Sequence, residues 1–467
     1  MVKWPDTKPI LSFINPKSAK YLQMLWSGGK PFEVLILILK NIKKHMNSNK
    51  SGISKERLKR IDSIMEHYVT NTWFPGMVTM LYRNDELVHH SAYGLLGSDP
   101  KIPMPLDGIF RIFSMTKPVI CTALMMLYEQ GKCQLFDPVS WYIPGFRNLK
   151  VYTGNIANRL NQVSKRTAFR ASDLVEPIRE LTIHDLLTHT SGITYEWMEH
   201  GGVDAMYLNS DLNHTIPLEQ FVDDLLEFPL SFQPGTAFRY GFSHDVVAHL
   251  IQVISGQKLD KFLEDNIYKP LNMVDTGFYV PDEKLDRFTE MIGGAGDPDK
   301  PGFLREWELL DKDKFEWKSD PEVDIEYRKH EIFRGGHGLV STSADYLQFC
   351  RMLLNKGELE GERILSRKSI ELMTMNHLPE THLPFDINGK IFWGYGYGLG
   401  FRVNMNPAQG QILGSVGEYG WGGAASTFFW IDPLENFIGI FMSQVLPESY
   451  YAAVDDFWVQ GYQSIED

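Results

Sequence analysis

Apolar residues at Leu58, Ile61, Met65, Tyr68 and Val69 fall three and four apart, which predicts a helix over 54–69 with Ser54 placed to cap its start. Two strand-like runs follow, Met77 to Tyr82 and Glu86 to Tyr93. The turn residues Asn84 and Asp85 between them predict a hairpin. A short run, Ile109 to Phe113, leads into a long apolar helix marked by Val119, Ile120, Ala123, Leu124 and Leu127 and stopped by Gly131.

From about residue 140 to 330 the chain turns charged and proline-rich, with short helical patterns at Phe221 to Leu226 and Asp245 to Ile254. Beyond Gly335 a helix is expected over Ala344 to Leu354, then strands over Tyr397 to Val403, Ala425 to Ile431 and Phe437 to Met442. The run Trp393 to Gly400 (WGYGYGLG) has a period of two and reads as strand, not as a dinucleotide fingerprint. Strands near both ends with helices between predict an α/β fold of the α+β type. One antiparallel sheet is built from both ends of the chain, flanked by helices, with a mostly helical lobe inserted. The expected division is an extension at 1–53, a sheet domain at 54–139 and 335–467, and a helical domain at 140–334. No internal repeat is present.

Composition narrows the class. An apolar content of 43% over 467 residues is enough for a large core, and a formal charge of −13 argues against a nucleic-acid partner. The one basic run, Lys40 to Lys50, reads as a solvated helix end. Three cysteines, Cys121, Cys133 and Cys350, are too few for a disulfide framework and sit among apolar neighbours as buried thiols. The start, MVKWPDTKPI, lacks a signal-peptide pattern. The longest apolar run, Val34 to Leu39, is too short to cross a bilayer, so a cytoplasmic protein without a transmembrane segment is expected.

The pattern S-x-x-K occurs at Ser27, Ser98, Ser114 and Ser255. Only Ser114 stands between a strand-like run and the start of a long buried helix. Residues three apart on a helix are neighbours, so the Lys117 amine can reach the Ser114 hydroxyl. The helix N-terminus supplies free N–H groups and a positive dipole end, which with burial favours the neutral amine. A neutral lysine can take the serine proton as general base, and Pro118 suits the first turn. No G-x-S-x-G elbow exists; Gly241-Phe242-Ser243 lacks the second glycine.

SMTK opening a helix, LLTHTSGI (Leu186 to Ile193), PGTAFRYGFS (Pro234 to Ser243), GGHGLVST (Gly335 to Thr342) and GWGGAASTFFWIDP (Gly420 to Pro433) occur in that order. Together they resemble the serine β-lactamase and penicillin-binding-protein-like superfamily, most closely the family VIII carboxylesterases, which share the class C β-lactamase fold. The likeness covers roughly residues 54 to 460. It implies Ser114 as nucleophile, Lys117 as base and Tyr240 as the phenol that passes a proton to the leaving group. It also implies that Trp421-Gly422-Gly423 form the W-G-G motif on an edge strand, with the Ala424 and Ser114 N–H groups as the oxyanion hole.

Two departures from β-lactamases bear on substrate. Phe242 stands where class C enzymes have Asn, and Trp421-Gly422-Gly423 where they have K-T-G. Both replacements are apolar and favour neutral short-acyl esters over carboxylate-bearing β-lactams. His189 and Ser191 look catalytic, but the resemblance makes their segment a structural turn. His337 lies in a glycine-rich loop where it narrows the pocket, bonds a substrate or faces solvent. His184 and His189, five apart, are poorly spaced for a metal, and no phosphate loop or EF-hand is present, so no metal or cofactor is expected. The small-molecule ester reading leaves an amidase, a peptidase, a weak β-lactamase or an acyltransferase open, and behind these a non-catalytic scaffold. Oligomeric state is not legible.

Overall fold

A computed structural model describes residues 50–71, 74–97, 99, 101–154, 171–198, 202–210, 212, 214–293, 316–317, 327, 331–446 and 452–467. Most of the 1–53 extension, with its apolar run and most of its basic run, lies outside the described residues, as do Ser27 and Ser98.

Helix α1 (Lys55–Thr70) starts where expected, and the Ser54 hydroxyl accepts the Arg57 N–H at 3.4 Å. The hairpin follows as β1 (Gly76–Arg83) and β2 (Glu86–Gly94), turning through Asn84 and Asp85 at φ 51° and 63°. Successive left-handed residues give the turn the hand that matches strand twist, and Asn and Asp tolerate it better than most residues.

The long apolar helix is α2 (Thr116–Glu129); further on come α3 (Ser243–Ser255) and α4 (Ser343–Leu354). The C-terminal strands are β3 (Tyr395–Tyr397), β4 (Arg402–Asn404), β5 (Tyr419–Gly423), β6 (Thr427–Asp432) and β7 (Phe437–Ser443), before α5 (Ala453–Gln463). They form one antiparallel sheet in the order β3-β4-β5-β6-β7-β1-β2. The β1–β7 pairing, Met77 opposite Ser443 through Arg83 opposite Phe437, joins the two ends of the chain, as the strand pattern predicted.

Both faces of the sheet are covered, which is why β1 is buried along its whole length. Met77 and Leu81 point into a layer with Ile61 and Met65 of α1 and Trp458 of α5; Trp430 and Trp458 stack there at 4.9 Å. Val78, Met80 and Tyr82 point the other way, into a larger core that includes Val119 and Leu124 of α2, Val247 and Leu250 of α3 and Met352 of α4. Each fully buried aliphatic side chain contributes about 1.5–3 kcal/mol relative to exposure. This one core runs through both the sheet and the helices of the middle segment.

Three strand readings need correction. The span expected as one strand over 397–403, and the strand reading of 393–400, are broken by a turn: Gly398 N–H donates to the Phe401 carbonyl at 2.7 Å and Gly400 sits at φ 89°. A side chain at Gly400 would also meet Cys121 Sγ at 2.7 Å, so the turn is packed directly on α2. The strand expected from Ala425 begins at Thr427, because Ser426 at φ 58° makes the β5–β6 turn.

Candidate active site

The site is built around the start of α2. A short 3-10 turn, Phe113–Met115, precedes the helix, and Phe113 is held at φ 45°, a costly conformation for a bulky residue. Phe113 is buried in a small cluster with Met291 and Ala425, which holds it there, while Ser114 beside it is partly open to solvent. The first turns of α2 are wholly buried, polar Thr116 and Thr122 included, so Lys117 enters the site from within the protein.

Lys117 Nζ lies 3.1 Å from Ser114 Oγ, 2.7 Å from the Gly336 carbonyl oxygen and 3.3 Å from Tyr195 Oη. It also sits 4.4 Å from the ring centroid of Tyr240. Tyr240 is buried, and its oxygen accepts an N–H from the Trp421 indole at 3.1 Å. The segment carrying Tyr240 runs against the LLTHTSGI turn: Arg239 N–H donates to the His189 carbonyl at 2.8 Å and Phe242 N–H to the Thr194 carbonyl at 3.3 Å. Gly241 is required between them, since a side chain there would lie 2.3 Å from the Ile193 carbonyl. Ser191 is spent on this junction, its hydroxyl 2.8 Å from that of Ser243.

The other expected residues are placed as follows. Trp421 to Gly423 lie on β5, which is interior to the sheet. Its partner β4 pairs only with Tyr419 and Gly420, so the W-G-G stretch is an edge locally although its strand is not. Gly423 backs onto the Phe113–Met115 turn so closely that a Cβ would meet the Ile112 carbonyl at 2.4 Å. Ala424 packs against the Phe113 cluster and is partly exposed. His337 follows Gly336 and is partly exposed. Phe242 is fully buried, edge-on to Tyr195 at 4.4 Å and to Phe221 at 5.1 Å, so it meets the site through Tyr195.

Tyr195 was not singled out by the sequence reading, although it lies two residues beyond the LLTHTSGI segment that was. Burial, with Tyr240 and Asp245 adding, pushes its phenol well above the ordinary value, so it stays protonated at neutral pH. Trp197 stacks on it at 5.1 Å, and Phe392 stacks on Trp421 at 6.1 Å, giving the site an aromatic surround. His189, at φ 56°, and His244 lie 4.5 Å apart with their rings tilted by 39°, and His189 is 4.6 Å from Tyr240. Burial, with Lys117 nearby, holds both imidazoles well below their usual range and hence neutral. His184 is elsewhere, bonded to His377 at 3.0 Å.

All three thiols are buried. Burial pushes Cys133 up to about 11 and raises Cys121 and Cys350 further, which leaves them unreactive. Among the described residues no three His, Cys, Asp or Glu gather to hold a metal, and no helix is long and apolar enough to cross a membrane.

Residues 61–461 match the beta-lactamase family. The chain belongs to that family. Protein Rv1367c of Mycobacterium tuberculosis is 30% identical to this beta-lactamase-family chain over 382 residues, covering 80% of it and 86% of the relative. The lovastatin esterase of Penicillium rubens is 28% identical over 77% of this chain and 86% of its own. Among solved structures, EstCE1, a hydrolase with promiscuous acyltransferase activity, superposes with a TM-score of 0.70 at 22% identity, covering 88% of this chain and 99% of its own. This beta-lactamase-family protein is accordingly a serine hydrolase with the β-lactamase-like fold.

Proposed function

We propose that this protein is an esterase working through an acyl-enzyme on Ser114. The observation that carries the reading is the buried Lys117 amine, 3.1 Å from Ser114 Oγ and also within reach of the Gly336 carbonyl and Tyr195 Oη. A neutral amine has two N–H donors and one lone pair. With the two N–H groups given to Gly336 and Tyr195, the lone pair is left facing the serine hydroxyl. Ser114 Oγ then attacks the ester carbonyl as its proton passes to Lys117. The N–H groups of Ser114 and Ala424 hold the developing oxyanion. As the C–O bond to the alcohol breaks, Tyr240 delivers a proton to the leaving oxygen and is resupplied from Lys117. Water then attacks the acyl-serine by the reverse route, and the acid leaves.

The aromatic surround of Tyr195, Trp197, Tyr240, Trp421 and Phe392 supports a neutral, short acyl group. Trp421 puts an indole where K-T-G has a lysine, so an anionic carboxylate there loses that cation. The esterase relative supports the same bond type. The test is to treat the protein with a fluorophosphonate probe, locate the adduct by mass spectrometry, and follow hydrolysis of an aryl acetate. Labelling at Ser114 with loss of hydrolysis is expected; labelling elsewhere, or hydrolysis that survives it, defeats the reading.

A further inference from the structure

We infer that Asp245 is a positioning residue for Lys117, acting as a clamp on the Gly336 peptide; this rests on the proposed role of Lys117 as base. Asp245 occupies the third position of α3, where an acidic side chain ordinarily turns back to satisfy the helix's own free N–H groups. Here Oδ1 accepts the Gly336 N–H at 3.2 Å, from a loop 91 residues further on. The carbonyl of that same glycine is the 2.7 Å acceptor for Lys117 Nζ, nearer than Ser114 Oγ or Tyr195 Oη. The carboxylate therefore holds one side of a residue whose other side holds the base.

The packing of the loop agrees. A side chain at Gly335 would strike the His244 carbonyl at 2.2 Å and Ala248 Cβ at 2.6 Å, so the loop lies directly on the first turns of α3. A side chain at Gly336 would enter a gap bounded by Asp245 Oδ2 at 2.7 Å and Tyr195 Oη at 2.9 Å. Asp245 is fully buried, and Oδ2 has no hydrogen-bond partner among the described residues. Burying a carboxylate with one oxygen unsatisfied is costly, and a helix start does not require it. Its placement is explained by the loop it fixes. Release of that loop would free the Gly336 carbonyl to turn away, leaving Lys117 with one fewer acceptor and no fixed direction for its lone pair. Phe242, three residues earlier on the same segment, supports Tyr195, so the start of α3 braces both the Gly336 and the Tyr195 contacts of the amine.

The test compares Asp245→Asn, which keeps an oxygen acceptor in the same shape, with Asp245→Leu, which fills the space without one. Asp245→Ala takes the place of the leucine variant should that not fold. Each is read by thermal melt, by kcat and KM for an aryl acetate, and by the rate of fluorophosphonate labelling. A displacement of the base on the order of 1 Å lowers turnover by up to about 100-fold, so the leucine variant should lose about 30- to 100-fold in kcat and in labelling rate with KM nearly unchanged. The asparagine variant should recover to within about fivefold of the parent, the share of rate that a conserved acceptor geometry preserves. A leucine variant that labels and turns over like the parent, or an asparagine variant as slow as the leucine one, overturns the clamp. Should the parent itself fail to label at Ser114, the proposed function falls instead, so the two failures are told apart.

Discussion

Gly423 offers the sharpest check on the site's construction, because its role is set by a backbone contact that cannot yield cheaply. Replacing it with alanine puts a methyl group 2.2 Å from Thr427 Oγ1 and 2.4 Å from the Ile112 carbonyl oxygen. The threonine hydroxyl can rotate aside, at the loss of its 3.3 Å bond to that same carbonyl. The carbonyl cannot, since it belongs to the backbone that leads into Phe113 and Ser114, and β5 is pinned on its other flank by pairing with β6, Gly423 opposite Thr427. Ordinary contact begins near 3.4 Å, so strand and turn must separate by about 1 Å. Overpacking of this kind costs about 1–3 kcal/mol of stability. A 1 Å change in the spacing between the Phe113–Met115 turn and the strand leading to Ala424 should cost about 100-fold in kcat/KM, equivalent to about 2.7 kcal/mol of transition-state stabilisation. The assay is aryl acetate hydrolysis beside a thermal melt. Gly277→Ala serves as the control, since its methyl would meet only the Tyr279 carbonyl at 3.7 Å. A Gly423→Ala enzyme within threefold of the parent would refute the dependence of the proposed Ser114–Ala424 oxyanion hole on this contact.

Other outcomes follow from the same structure. Ser114→Ala and Lys117→Ala should each remove most turnover, with the double variant little worse than either; losses that multiply would speak against a single proton-transfer unit. An aryl butyrate should be cleaved with a much higher kcat/KM than a chromogenic cephalosporin, and Trp421→Lys should narrow the gap; an unchanged ratio would show that this position does not set substrate choice. Burial, with Asp275 nearby, pushes the Asp345 carboxyl up to about 6 from 3.8, against hydrogen bonds from Asp275 N–H and Thr276. Between those values the folded protein holds a proton that the unfolded chain has released. The group's stabilising contribution is therefore complete below about 3.8 and lost as pH rises through about 6. Asp345→Asn lacks this loss, so it should gain about 1–3 kcal/mol on the parent between pH 4 and pH 8, read from denaturant melts. A constant difference between the two proteins across that range would contradict the shift.

Much of the site was legible because it is local. Ser114 and Lys117 are three residues apart on one helix start, and helical geometry brings them together whatever the rest of the chain does. The same holds for the β1–β2 hairpin, whose turn residues Asn84 and Asp85 set its hand, and for α1 and α3, whose apolar periodicity marks their buried faces. That one sheet draws on both chain ends was expected from strand-like runs near both termini together with the family resemblance, and the β1–β7 pairing joins them. What completes the amine's surroundings was not readable. Tyr195 Oη comes from 78 residues away and the Gly336 carbonyl from 219, and a backbone carbonyl has no signature in a sequence. Nor was Asp245 distinguishable from an ordinary acidic residue in a first helical turn, because its bond is to a loop that only folding brings near. The break between β3 and β4 was hidden for a related reason: WGYGYGLG alternates like a strand, and it is the approach of Gly400 to Cys121 on α2 that turns the chain there. Short-range spacing determines which residues can meet within one element; contacts between elements depend on which loops close and which faces pack, and those were decided only by the assembled core.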